Sequence, residues 1–236
     1  MNILKIFRAI KTNKTLVDIS IEHNEVDDEC FDILIEAIKI NKRIQNINVE
    51  MNDITDKGII ELSKAINYGN LKSINVSYNQ MFEEGAIALF RAIKFNETLT
   101  SLDVGGCYMT SQGLCALADC IKYNKNITYL SITGTDHADD DDIIGILAII
   151  DSLKYNISIT SINMGLCKLN DECAVALANV IKINKTIVDL DLGCNHIEDK
   201  GVISLAEAMK HNKTIKSICL NINWTTLRIV DGALVK

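Results

Sequence analysis

The chain has 236 residues, 48% of them hydrophobic and 23% charged, and 31 acidic side chains outweigh 24 basic ones for a net charge of −7. That much apolar material excludes wholesale disorder, and the acidic balance argues against a general nucleic-acid binder, whose phosphate contacts need a basic face. No apolar run reaches the roughly 18–20 residues that cross a bilayer, and the opening ten residues lack the apolar stretch and small-residue cleavage site of a signal peptide.

Residues 1–12 read as the helical half of a partial repeat, because Ile6 and Ile10 lie 28 residues before Leu34 and Ile38. From Asn13 a motif recurs. Asn-Lys-Thr begins at Asn13, Asn184 and Asn212, with relatives at Asn41, Asn96, Asn124 and Asn156. An aliphatic anchor stands three residues after each, and the anchors Leu16, Ile44, Leu71, Leu99, Ile127, Ile159, Ile187 and Ile215 advance by 28, 27, 28, 28, 32, 28 and 28 residues. Apolar residues fall at +3 and +5 from each anchor, the alternation of a short strand. A small polar residue follows at +8. The second half of a unit switches to helical spacing, as in Leu62/Ile66, Leu89/Ile93, Leu117/Ile121 and Leu177/Ile181, and Gly58, Gly85, Gly113 and Gly201 stand where helices open. Eight units fill the chain, which predicts one domain over 1–236. The fifth unit carries an acidic insertion at 136–142 with five carboxylates and one imidazole. It lacks the glycine and distal glutamate of an EF-hand loop, so a solvated loop without metal is expected. The last unit departs from the pattern at Trp224, and the tail over 224–236 is expected to cap the final core.

These units resemble the leucine-rich repeat, L-x-x-L-x-L-x-x-N/C-x-L. Their length is similar to that of the ribonuclease-inhibitor-like subfamily, shared by the repeat regions of NOD-like receptors, Ran GTPase-activating proteins and tropomodulins. The resemblance implies an α/β leucine-rich-repeat solenoid, a curved horseshoe segment of about eight 28-residue repeats. A parallel β-sheet would line its concave side and α-helices its convex side. One strand-helix unit cannot bury its apolar face alone, so neighbours must stack into a continuous core. The +8 ladder, Asn24, Asn52, Asn79, Cys107, Thr135, Cys167, Asn195 and Asn223, is expected to turn inward and satisfy backbone groups at the strand ends.

The 8 cysteines show no paired zinc spacing and are expected to be reduced. Most of the N-x-S/T sequons fall on the repeated Asn-Lys-Thr turn and are read as accidental, which with the thiols suggests a reducing, cytoplasmic compartment. Acids gather before the helices (Asp27, Asp28, Asp56, Asp171, Asp199) and bases after them (Lys39, Lys42, Lys94, Lys122, Lys185), as the helix dipole favours.

No Ser/His/Asp or Cys/His constellation, phosphate loop or metal motif appears, so no enzyme activity, catalytic residue, metal or cofactor is expected. The outward strand positions hold no Lys or Arg, and they make the concave face small, polar and acidic. Its candidate protein-binding residues are Asp18, Glu22, Asn48, Glu50, Asn75, Tyr78, Asp103, Tyr129, Asn163, Asp189 and Asp191. The expected function is a scaffold binding a basic protein partner through this face or its rims, with no nucleic acid and no membrane, as a monomer or a weak end-to-end dimer. The family resemblance adds two alternatives, a tropomodulin-like actin cap and a small-GTPase regulator, and the sequence also allows an effector-like protein acting in a host cytosol.

Overall fold

Each unit alternates a three-residue strand with a helix, because a period of 2 gives way to a period of 3.6. A computed structural model describes residues 2–68, 70–135, 143–230 and 233–235; the acidic insertion predicted at 136–142 lies outside the described residues. In chain order the elements are α1 (Asn2–Ile10), β1 (Asp18–Ser20), α2 (Asp28–Ile40), β2 (Asn46–Asn48), α3 (Asp56–Ile66), β3 (Ser73–Asn75), α4 (Glu83–Ile93) and β4 (Ser101–Asp103). There follow α5 (Ser111–Tyr123), β5 (Tyr129–Ser131), α6 (Ile143–Ser152), β6 (Ser161–Asn163), α7 (Asp171–Ile183), β7 (Asp189–Asp191), α8 (Asp199–Met209) and β8 (Ser217–Cys219). A hairpin of β9 (Arg228–Val230) and β10 (Ala233–Val235) ends the chain and touches α8.

Strands β1 to β8 form one open parallel sheet in sequence order. The register puts the +3 residues side by side, Ile19 on Ile47, Ile74, Leu102, Leu130, Ile162, Leu190 and Ile218. This row faces the helices and joins one continuous apolar core. Sequence spacing aligned Ile6 with that core, but Ile6 is exposed and Phe7 is fully buried. Ile3, Phe7 and Ile10 share one helix face at four- and three-residue spacing, and that face meets α2.

Three sets of polar side chains tie each unit to the next. In the +8 ladder, Asn52 Nδ2 donates to the Ile21, Val49 and Glu50 carbonyls while its Oδ1 accepts from the Asn24 and Val26 amides. Asn79, Asn195 and Asn223 repeat the pattern. The centre uses sulfur and a hydroxyl instead: Cys107 Sγ donates to the Val76 carbonyl at 3.5 Å, Cys167 Sγ lies 3.2 Å from the Ile132 and Gly165 carbonyls, and Thr135 Oγ1 reaches Cys167 Sγ at 3.4 Å.

The second set explains the Asn-Lys-Thr motif. Asn124 Nδ2 donates to the Ile93 and Asn96 carbonyls of the preceding unit, and its Oδ1 accepts from the Asn126 and Ile127 amides of its own turn. Asn156, Asn184 and Asn212 do the same, each one unit further on. The 27-residue step leaves Tyr68 in this slot instead, and it is exposed. The sequon asparagines Asn96, Asn156 and Asn184 are therefore buried structural groups.

The third set gives the helix-opening acids a task beyond the dipole. Asp28 Oδ1 accepts from the Thr55 and Gly58 amides of the next unit, and Asp171 Oδ1 from those of Glu198 and Gly201. A Cβ on Gly58 or Gly201 would stand 2.6 or 2.5 Å from that carboxylate oxygen. At Gly58, Gly85 and Gly201 the preceding unit's aspartate needs the space, whereas Gly113 faces Ala86 and Met109.

Candidate interaction surface

The pleat sends positions +2 and +4 of every unit to the face away from the helices. Position +4 brings Asn48, Asn75, Asp103, Asn163 and Asp191 into one row. Each turns one side-chain oxygen onto the amide two residues ahead: Glu50 at 3.0 Å, Ser77 at 2.9 Å, Gly105 at 3.0 Å, Gly165 at 2.9 Å and Gly193 at 2.8 Å. These Asx turns close the strand ends. Sequence reasoning treated the five as recognition groups alone, whereas one oxygen of each belongs to the scaffold. The amide nitrogens of Asn48 and Asn75 donate in turn to Glu22 Oε2 at 2.9 Å and Glu50 Oε2 at 3.1 Å. Asp18 accepts from Asn46 Nδ2 across the β1–β2 pair.

Asp18, Asn48, Asn75, Asp103 and Tyr129 line a shallow depression of about 330 Å³ over β1 to β5. Burial pushes the Asp103 carboxyl above the ordinary aspartate range, the Gly105 amide and Ser131 hydroxyl oppose that, and the Glu50 charge reinforces it. Burial likewise raises the Tyr129 phenol, helped by the charges of Asp103 and Asp191. Asn163, Asp189 and Asp191 extend the face along β6 and β7, outside this depression.

The +7 residue of every unit has a left-handed backbone: His23, Met51, Tyr78, Gly106, Gly134, Leu166, Cys194 and Ile222, with φ from 52° to 73°. The chain leaves the strand there and turns its side chain onto the strand-end rim. Such a φ costs a non-glycine residue roughly 1–2 kcal/mol, yet six of these eight are not glycine. The two glycines adjoin one aromatic residue. A Cβ on Gly106 would lie 2.3 Å from the Tyr78 ring, and one on Gly134 would lie 3.5 Å from its hydroxyl. Tyr78 thus lies across Gly106 and is 42% exposed. Beside it a second depression of about 540 Å³ is lined by His23, Met51, Asp53, Gln80 and Tyr108. Phe82 and Tyr108 stack at 5.3 Å. Sequence reasoning found Tyr78 and missed Phe82 and Tyr108, although two aromatics 26 residues apart (82 and 108) signalled a pair on neighbouring units.

The family model described as Leucine Rich repeat matches residues 44–63, 70–90, 95–118, 155–178 and 184–206. The chain is a leucine-rich-repeat protein. Solved structures similar to it include leiomodin-1 actin-binding site 2, at 17% identity and a TM-score of 0.52, covering 64% of this chain and 87% of that one. The tropomodulin C-terminal domain of Caenorhabditis elegans is similar at 19% identity and a TM-score of 0.52, covering 66% of this chain and 93% of that one. At these identities the likeness is one of fold. No curated protein sequence matches the chain.

All eight cysteines of this leucine-rich-repeat protein are unpaired, with Cys107, Cys120, Cys167 and Cys173 buried. Among the described residues no cluster of three or more His, Cys, Asp or Glu is placed to hold a metal ion. No described helix is long and apolar enough to cross a membrane.

Proposed function

We propose that this leucine-rich-repeat protein is a non-enzymatic interaction module that holds a basic protein surface against its concave face and strand-end rim, in the cytosol. The observation that carries this reading is the one-signed face. Asp18, Glu22, Glu50, Asp103, Asp189 and Asp191 project from or just beyond the strands, with no lysine or arginine among the outward strand positions. Such a face steers and selects a basic partner. Tyr78, spread over Gly106, supplies the aromatic anchor that a polar face needs, since binding energy concentrates at such residues. The test is affinity capture from lysate with wild type, Asp18/Asp103/Asp189/Asp191→Lys and Tyr78→Ser, each confirmed folded by circular dichroism. A partner held by wild type and lost by both variants supports the reading. Equal capture by all three removes function from this face.

Actin is the partner that the comparisons make worth testing, because one of the similar structures is an actin-binding site. Cosedimentation with filaments and a pointed-end elongation assay test it. No sedimentation and unchanged elongation would reject that partner and leave the acidic-face reading standing.

A further inference from the structure

The opposite edge of the sheet, where helices end and strands begin, carries a row of exposed apolar side chains. In the second asparagine ladder the asparagine turns inward, so the residue before it points out. That slot holds Ile40, Phe95, Tyr123, Tyr155 and Ile183, which are 47–74% exposed. Isolated exposed apolar side chains need no explanation, but a contiguous row does. The rings of Phe95 and Tyr123 lie 6.4 Å apart.

Lysines interleave the row. The Lys94 ammonium sits 4.2 Å from the Tyr123 ring centre and 5.4 Å from that of Phe95, and Lys122 sits 4.9 Å from that of Tyr155. Lys94 also pairs with Asp119. Lys122, Lys125 and Lys185 form no ion pair among the described residues, and Lys182 lies within electrostatic reach of Glu207 on the next helix.

From this juxtaposition of lysines and protruding rings we infer that the helix-end edge is a peripheral docking surface for a bilayer bearing anionic lipid headgroups. Three observations favour that occupant. The charge is complementary: the lysines line this edge, whereas the concave face that opposes it in sign is acidic, so an anionic surface is approached edge-on. Tyrosine and lysine bury apolar bodies at headgroup depth and leave polar ends in water, and phenylalanine and isoleucine add wholly apolar bodies. The row also protrudes, with Phe95, Tyr123, Tyr155 and Ile183 standing out from four consecutive units, and a fluid interface receives protruding side chains without needing matching pockets. A single-stranded nucleic acid is disfavoured because it needs a groove that tracks its backbone, whereas these side chains stand out from the edge. An acidic protein is disfavoured because its anchor residues need well-packed pockets. Excluding a spanning helix leaves such a peripheral contact untouched.

Vesicle flotation tests the inference, using phosphatidylcholine alone and phosphatidylcholine with phosphatidylserine. Wild type should float with the anionic vesicles only, and leave them at about 1 M salt, where the screening length falls to about 3 Å. Lys122→Glu/Lys125→Glu/Lys185→Glu should lower the partition coefficient by about a hundredfold or more. Phe95→Ser/Tyr123→Ser/Tyr155→Ser should also weaken it, and the exposed positions let both variants melt like wild type. The concave Asp→Lys variant should float at least as well as wild type, which separates this surface from the proposed protein-binding face. No flotation of wild type, or equal flotation of both edge variants, overturns the inference. So does binding of oligothymidylate or polyglutamate, in place of vesicles, through the same lysines.

Discussion

Replacing Asn195 with alanine should cost about 2–6 kcal/mol of unfolding free energy, and the figure follows from the bonds of one side chain. Asn195 is 1% exposed. Its Nδ2 donates to the carbonyls of Met164 at 2.9 Å, Leu192 at 2.9 Å and Gly193 at 3.2 Å, and its Oδ1 accepts from the amides of Cys167 at 2.9 Å and Leu169 at 3.0 Å. The carbonyls tolerate the loss best, having two lone pairs each. The two amides are left buried without an acceptor, at about 1–3 kcal/mol apiece. Thr135 occupies the equivalent slot two units earlier and, among the described residues, its hydroxyl makes a single 3.4 Å contact, to a thiol. Thr135→Val should therefore cost no more than about 1 kcal/mol. Urea denaturation followed by circular dichroism measures both variants. Hydrogen exchange at the Cys167 and Leu169 amides localises the first, because units of a solenoid contact only their neighbours. If Asn195→Ala costs no more than Thr135→Val, or the two amides keep their protection, the ladder does not work as described.

Two further outcomes follow from burial. The folded-state pKa of Asp103 is raised above the ordinary 3.8, so the folded chain holds that proton more tightly than the unfolded one. The associated stability is present below the ordinary value and lost as pH rises through the folded pKa. Asp103→Asn keeps the acceptor for Gly105 and removes the buried charge, so it should be more stable than wild type at neutral pH. Thermal melts should show that gap closing as the solution is acidified, and a constant gap would refute the assignment. The thiols of Cys107 and Cys120 are pushed up to about 12 by burial, and that of Cys173 to about 11. Alkylation of the native protein read by mass spectrometry should modify only Cys30, Cys115, Cys194 and Cys219, with Cys107, Cys120, Cys167 and Cys173 modified after unfolding.

The repeat was legible residue by residue because the constraint is local and recurs. Ile47 must match Ile19 and Ile74 in the same strand row, so every unit repeats the same spacing. The +8 ladder was legible for the same reason. The helix-end asparagines looked like a turn motif and a set of sequons; their bonds run to carbonyls 28–35 residues away, a distance that no local pattern reports. The concave face was legible as a list of outward positions. Its division of labour was not, because an Asx turn and a free carboxylate have the same residue type. Trp224 stacks on His196 at 4.0 Å, a contact between residues 28 apart that no local pattern reports.

The sequence by itself therefore determined the unit, its length and the direction of its apolar face, since burial of a periodic face leaves little choice of fold. Tertiary structure alone decided which polar side chains are spent on the scaffold and which remain for a partner. It placed Asp28 against Gly58, Tyr78 across Gly106 and Lys94 between Phe95 and Tyr123. Each of these pairings joins neighbouring elements at a distance of a few ångströms, and stacking creates that proximity only after the units have formed.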